Sequence, residues 1–250
     1  MIYLKSRSEI EMMRKSGKIV AKAIRECYEA IVPGKTTTRD LDALAERIIK
    51  EAGAVPSFMN YRGYSANTCI SVNDVVIHGM PTDDPIMEGD IVDIDIGACL
   101  DGWHADSAWT FGIGKISPEA QRLLNVTKES LMQGIAQAKV GNRIGDISAA
   151  VQKYVEKNGY GVVRDLVGHG IGRKLHEEPH SVPNFGKAGK GEVLREGCTI
   201  CIEPMVNEGT YRVKTLEDGW TVKTADGKLS AHFEHTIAIT KDGPELLTLE

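Results

Sequence analysis

Apolar or small residues recur at Ile10, Met13, Gly17, Val20, Ile24, Cys27 and Ile31, the three-and-four spacing of an amphipathic helix. Ser8-Glu9-Ile10-Glu11 gives that helix a capping box, and Pro33-Gly34 predicts its end. A second helix begins at Thr37 or Thr38, shows Leu41, Leu44 and Ile48 on one face and stops at Gly53. The pattern then shortens and predicts strands at about 69–77, 90–97 and 104–112. Ser117-Pro118-Glu119 opens a third helix, which carries Leu124, Leu131, Ile135 and Ala138 toward Val140-Gly141. A fourth runs from about Asp146 through Ile147, Val151 and Val155 to Gly159.

The strand at 90–97 contains charges where a core strand has none. In I-V-D-I-D-I (91–96) the period of two puts Asp93 and Asp95 on one face and the isoleucines on the other. Buried carboxylates are costly unless paired or metal-bound, and no Lys or Arg lies between Asp83 and Lys115 to pair with them. The stretch also has a copy. Glu196-Gly197 followed by C-T-I-C-I-E (198–203) overlays Glu88-Gly89 and its strand, so that Glu203 matches Asp95 and Cys201 matches Asp93. His104-Ala105-Asp106-Ser107 likewise finds a counterpart in His232-Phe233-Glu234-His235. Two halves facing each other across a pseudo-twofold, about 8–113 and 117–240, would gather Asp95, Asp106, Glu203 and Glu234 in one place. Each half holds both helices and strands, which predicts an α/β or α+β chain with a mostly antiparallel sheet in a single domain.

Other motifs are weaker. His169 lies between glycines in G-H-G-I-G and is the natural nitrogen ligand beside four carboxylates. His78 in I-H-G-M-P resembles it. His176-Glu177-Glu178-Pro179-His180 has the letters of a zinc-protease H-E-x-x-H, but Pro179 denies it the helix that motif needs. Cys198 and Cys201 have no second pair, and at i and i+3 on a strand they face opposite ways, so they read as core residues. The loop from Gly186 to Gly191 lacks the phosphate-loop pattern and reads as a solvated connection.

With 250 residues, 42% hydrophobic and 26% charged, the chain can bury a substantial core. A net charge of −5 with interspersed signs argues against nucleic acid and membrane surfaces. The charged start M-I-Y-L-K-S-R is no signal peptide, and five cysteines without secretory context suit reduced thiols, so a cytoplasmic location is expected.

The chain as a whole resembles the type I methionine aminopeptidase family in its bacterial form. The matching motifs are S-V-N-D-V-V-I-H-G-M-P (71–81), I-D-I-G-A-C-L-D-G-W-H-A-D-S (94–107), G-H-G-I-G-R-K-L-H-E-E-P (168–179), I-E-P-M-V-N (202–207), D-G-W-T-V-K-T (218–224) and H-F-E-H-T (232–236). The resemblance implies the α+β pita-bread fold of the creatinases and aminopeptidases, whose pseudo-twofold agrees with the repeat. It also implies metal-dependent removal of the N-terminal methionine from nascent polypeptides when the second residue is small and uncharged.

By the same resemblance, Asp95, Asp106, His169, Glu203 and Glu234 hold two divalent ions. Co, Mn, Fe, Zn or Ni would fit, with Fe or Mn expected natively. Glu203 becomes the general base, and His78 and His176 assist at the scissile amide. Phe58, Tyr61, Tyr64, Cys69, His78, Leu175, His176 and Trp220 form the substrate pocket. Implied partners are nascent chains, met near the ribosomal exit tunnel, with a monomer as the working state; no membrane or specific nucleic acid is expected. Leu175, His232 and Arg62 depart from the family's common Phe, Gln and His. Prolidases and aminopeptidase P share the fold but usually carry a large extra domain, and metal-free members of the fold have lost ligands that this chain retains.

Overall fold

The structure, a computed structural model, describes residues 2–250; Met1, the first residue of the charged start, lies outside them. Four helices, α1 (Arg7–Glu29), α2 (Thr38–Glu51), α3 (Pro118–Ile135) and α4 (Ile144–Lys157), lie over short antiparallel sheets. This is the expected α+β arrangement, and every strand pair among the described residues is antiparallel.

Helix α1 starts one turn fraction earlier than its sequence pattern suggests. Its cap is Ser6, not Ser8, and the box closes on Glu9, whose carboxylate accepts the Ser6 N–H at 2.8 Å. Two overlapping S-x-x-E boxes compete here, and a distant contact decides between them: the Lys5 N–H donates to the Gly197 carbonyl at 2.7 Å, holding the chain extended up to Ser6. The helix ends at Glu29, before Pro33-Gly34. Helices α2 and α4 each begin on an Asp that accepts the N–H three residues back, Thr37 N to Asp40 and Arg143 N to Asp146. These aspartates occupy corresponding places in the two halves of the repeat.

The single strand expected at 69–77 is two, Cys69–Val72 and Val75–Ile77. Asn73, in the left-handed region at φ 56°, turns the chain between them, a conformation that asparagine tolerates better than most residues. Strand Ile91–Leu100 pairs with Cys69–Val72 on one side and with Trp103–Gly112 on the other. In the second half, Thr199–Ile202 pairs with His235–Thr240 and touches Val167–Gly170. Gly89 and Gly197, the matched glycines of the repeat, both adopt positive φ.

Each helix pair packs on its own sheet. Val20, Ile24, Leu41 and Ile48 meet Ile94 and Ile96, while Leu123, Leu131, Ile147 and Val151 meet Ile200, Ile202 and Ile237. Thus the isoleucine faces of both carboxylate strands are occupied by helices, and the opposite faces turn toward each other. Segment 106–110 docks on segment 232–236 through Asp106 N to Thr236 Oγ1 (3.0 Å), Ser107 Oγ to the Glu234 carbonyl (2.6 Å) and Glu234 N to the Ala108 carbonyl (2.8 Å). The interface between the two halves is where the charges lie.

Candidate metal centre and pocket

Asp95, Asp106, Glu203 and Glu234 converge at one end of a cavity of ≈ 240 Å³ and are all buried. The strand period delivers Asp95, and its register places Cys69 opposite it and Asp106 opposite Gly97. Glu203 follows strand Thr199–Ile202, and the Asn184 side-chain amide donates to its carbonyl at 2.9 Å. His169 joins them: its Nε2 is 3.7 Å from Glu203 Oε1 and 3.9 Å from Asp106 Oδ2.

The glycines flanking His169 serve a close approach of strands. A Cβ on Gly168 would come within 2.4 Å of the Cys201 carbonyl, and one on Gly170 within 2.5 Å of the Glu178 carbonyl. Only glycine lets Val167–Gly170 nest between its neighbours, with His169 aimed inward. The ring is held by its Nδ1, 3.0 Å from the Gly170 carbonyl, and this contact leaves Nε2 toward the carboxylates.

This concentration of charge calls for a cation. Burial, and after it the neighbouring carboxylates, push Asp95, Glu203 and Glu234 well above the usual carboxylate range, and burial raises Asp106 to about 7. His169 is pushed the other way, to about 3, by burial and then by His176, so the imidazole is a neutral donor of a lone pair. Among the described residues, the only ion-pair partner of these four carboxylates within 4 Å is the His169 ring. Asp95 Oδ1, Asp106 Oδ1 and Glu234 Oε1 are buried with no hydrogen-bond partner. One ligand atom each from Asp106, His169, Cys201 and Glu234 falls within 4.8 Å of the others. Carboxylate oxygens with one imidazole are the donor set of a hard or borderline divalent ion, so these residues fit such a metal.

Cys201 is the part that sequence reasoning passed over. It is buried as expected, yet it occupies the cluster side of its strand, where the repeat places Asp93's counterpart. Burial, and then Glu234, push its thiol well above its ordinary range, so it keeps its proton. Its Sγ is 3.5 Å from Thr236 Oγ1. Cys198 has no such neighbours and is core alone.

The other end of the cavity is apolar and aromatic. Phe58, Tyr61, Tyr64, Cys69, Leu175 and Trp220 line it, together with His78 and His176. The sequence reading did not single out Ile77, Leu166 and Val167, which complete the wall; Arg62 and His232, noted only as departures, line it too. Trp220 is held by Asp218, which accepts the N–H groups of Trp220 and Thr221 at 2.8 Å, and its indole lies edge-on to Tyr64 at 5.1 Å. Tyr64 donates its hydroxyl to the Thr68 carbonyl at 2.9 Å. Phe58 packs where Gly97 leaves room: a Cβ there would be 2.7 Å from the phenyl ring.

His78 and His176 stand between the two ends. His78 takes a positive φ of 56°, and the next residue must be glycine because a Cβ on Gly79 would be 2.2 Å from the Ile70 carbonyl. The His176 ring packs edge-on against His169 at 3.9 Å, and Tyr61 hydrogen-bonds its Nδ1. Burial lowers both His78 and His176 to about 4, so both are neutral and can each present one N–H to a ligand. The H-E-x-x-H letters lie mostly on a strand, Glu177–Pro183, with His180 exposed, so no helical metal site forms there.

Comparison with known proteins agrees with this geometry. The model of metallopeptidase family M24 matches residues 11–241. A methionine aminopeptidase of Clostridium perfringens is 57% identical over 249 residues, covering 100% of this chain and 99% of the relative. The crystal structure of methionine aminopeptidase from Thermotoga maritima superposes with a TM-score of 0.97 at 49% identity, with all of both chains covered. A prolidase from Pyrococcus horikoshii gives 0.80 at 27% identity, covering 98% of this chain but 63% of the prolidase. The architecture is the pita-bread fold that these structures share.

Proposed function

The chain belongs to metallopeptidase family M24, and on that premise we propose that it hydrolyses the first peptide bond of polypeptides that begin with methionine. One observation carries the reading: a buried carboxylate cluster and an apolar, aromatic pocket share one cavity. The pocket suits an unbranched thioether side chain, and the cluster suits the amine and carbonyl next to it. The 57% identical methionine aminopeptidase of Clostridium perfringens supports reading the activity as that of an aminopeptidase.

Divalent-metal use comes with the family. We assign the metal to Asp95, Asp106, His169, Glu203 and Glu234, with two ions as the working complement and Fe or Mn as the native metals. When bound, such ions supply Lewis acidity and lower the pKa of water. The remaining work falls to side chains. Glu203 takes a proton from the attacking water and returns it to the leaving amide nitrogen. The neutral rings of His78 and His176 donate N–H to the scissile amide and to the oxygen that gains charge; Tyr61 sets the angle of His176. Phe58, Tyr64, Cys69, Leu175 and Trp220 exclude water around the methionine side chain and fix the bond over Glu203.

The chain is read as one catalytic domain of two similar halves, about 8–113 and 117–240, since the cluster takes two carboxylates from each. Among the described residues no helix is long and apolar enough to cross a membrane. Nascent chains in the cytoplasm, met near the ribosomal exit tunnel by a monomeric enzyme, are the proposed substrates. The test is release of free methionine from Met-Ala-Ser by protein loaded with Mn, Fe or Co. Activity that survives full chelation and dialysis would overturn the metal assignment, and no methionine release with any of these metals would overturn the function.

A further inference from the structure

The wall of the aromatic pocket is held from outside by a carboxylate that does not line it. Asp42, at the start of the second turn of α2, faces the irregular segment that leads from Tyr64 into strand Cys69–Val72. Its Oδ1 accepts the Asn67 N–H at 2.9 Å, the Thr68 N–H at 2.8 Å and the Thr68 hydroxyl at 2.8 Å. Its Oδ2 accepts the Asn67 side-chain amide at 2.9 Å. Asn67 and Thr68 are buried, and among the described residues no backbone carbonyl takes their N–H groups. Buried amides need a partner, and here Asp42 supplies it. The repeat does not require this carboxylate. Asp40 and Asp146 cap the matched helices α2 and α4, so position 42 corresponds to Ser148, whose hydroxyl turns back to the Ile144 carbonyl of its own helix at 3.1 Å.

What Asp42 grips is one step from the pocket. The Thr68 carbonyl accepts the Tyr64 hydroxyl at 2.9 Å, and that hydroxyl also lies 3.2 Å from the carbonyl of Gly79, the residue after His78. The Tyr64 ring meets Trp220 edge-on at 5.1 Å, and both rings line the cavity. The first turn of α2 holds the chain beyond Gly79 as well, since Thr38 Oγ1 accepts the Thr82 N–H at 2.7 Å. One helix therefore brackets both segments that Tyr64 bridges. We propose that Asp42 is a positioning residue for the methionine pocket: by fixing Asn67 and Thr68 it fixes the Tyr64 ring against Trp220, and so sets how tightly the first side chain is held. The inference rests on the aminopeptidase reading and adds a residue that acts on binding, not on proton transfer.

The test is steady-state cleavage of Met-Ala-Ser by metal-loaded protein, with KM and kcat read separately. Asp42→Ala is expected to raise KM about tenfold, the order of one hydrogen bond to a charged group, with kcat within about twofold of wild type and metal content unchanged. Asp42→Asn keeps an acceptor for the three bonds on Oδ1, and rotation of the Asn67 amide accommodates its NH2, so KM should return to within about threefold of wild type. Tyr64→Phe removes the hydroxyl that meets the Thr68 carbonyl; it should raise KM by itself, and Asp42→Ala should add little in that background. Asp40→Ala unties the cap of the same helix without touching Asn67 or Thr68, and should lower the melting temperature while KM stays unchanged. An unchanged KM in folded, metal-loaded Asp42→Ala overturns the proposal, as does an equal rise in Asp40→Ala, which would make the effect one of stability alone. Should Asp42→Ala not fold, Thr68→Val takes its place, since it deletes the hydroxyl bond only: a KM rise of about twofold at unchanged kcat supports the proposal, and an unchanged KM overturns it. Methionine release by wild type with KM unmoved in the variants sinks this inference alone; no release by wild type sinks the aminopeptidase reading and this inference with it.

Discussion

Glu203 Oε1 lies 3.7 Å from His169 Nε2, two buried groups delivered by neighbouring strands 34 positions apart in sequence. The carboxylate is pushed far toward its protonated form by burial, then by Asp106 and Asp95. Glu203→Gln keeps the shape and removes the charge. Turnover should fall about 10²–10⁴-fold, the usual loss for one proton-transfer group. In metal-free protein the melting temperature should rise, because the amide is neutral without having to take up a proton on burial. Full turnover in this variant, or a lower metal-free melting temperature, would count against the role.

The histidines separate by what they touch. His169 sits among the carboxylates, whereas His78 packs edge-on to Trp220 at 6.0 Å and is not one of the residues whose ligand atoms cluster. His169→Ala should lose metal in equilibrium dialysis as well as activity. His78→Ala should lower kcat and keep its metal. Equal metal loss in both would show that His78 belongs to the ligand set.

Much of this was legible in the sequence because charge stands out in apolar strands. Asp95 and Glu203 interrupt isoleucine-rich runs, and the copy of one stretch in the other marked them together. Asp106 and Glu234 were found by the same repeat. The pair of Asp93 and His232 was not, since nothing local links positions 139 apart, and only the docking of 106–110 on 232–236 brings them together. Cys201 was read as core for a similar reason: periodicity tells which face a side chain takes, and here both faces are buried. The split of 69–77 was hidden by its apolar content, which outweighed the turn signal of Asn73-Asp74. The pocket walls were legible only through the family resemblance, because aromatic residues in irregular segments carry no period to read.

Lys5 anchors the start of α1 from within. Its Nζ is 2.7 Å from Glu177 Oε2, and the lysine side chain is fully buried. Burial raises the Glu177 carboxyl, but the hydrogen bonds from Lys5 and from the Lys174 backbone N–H outweigh it and hold the group below its usual range. A depressed carboxylate stabilises the fold above the unfolded value, about 4.3, and that contribution is lost as pH falls through the lower folded value. Lys5→Ala leaves the partly buried Glu177 charge without its partner, a loss of about 1–3 kcal/mol, below that for breaking a fully buried pair. Denaturant unfolding of Lys5→Ala should show a loss of this order near pH 7, with the difference from wild type shrinking as the pH drops below 4. A difference that is flat with pH would mean that the lost stability is packing and not charge.

Selectivity at the second residue follows from how little of the cavity remains once methionine is seated. In the proposed binding mode the side chain lies against Phe58, Tyr64, Leu175 and Trp220, with the scissile bond beside the carboxylates. In that mode His78 and His176 flank the bond, with Tyr61 hydrogen-bonded to His176 and Arg62 over the Tyr61 ring. The Cβ of the second residue must pass these side chains. A hydrogen or a methyl group is expected to fit, and a branched side chain to press on His176, which Tyr61 braces, and on His78, whose neighbour Gly79 packs closely on the Ile70 carbonyl. Overpacking of this kind costs about 1–3 kcal/mol and sometimes more. Met-Ala-Ser and Met-Gly-Ser should therefore exceed Met-Ile-Ser and Met-Leu-Ser in kcat/KM by about 100-fold. Tyr61→Ala, which frees His176 to swing, should narrow that gap by raising the branched substrates and lowering kcat for Met-Ala-Ser. Comparable kcat/KM values for Met-Ala-Ser and Met-Ile-Ser in the wild type would refute the steric account and point to an open rim, with Leu175, His232 and Arg62 as the first positions to exchange.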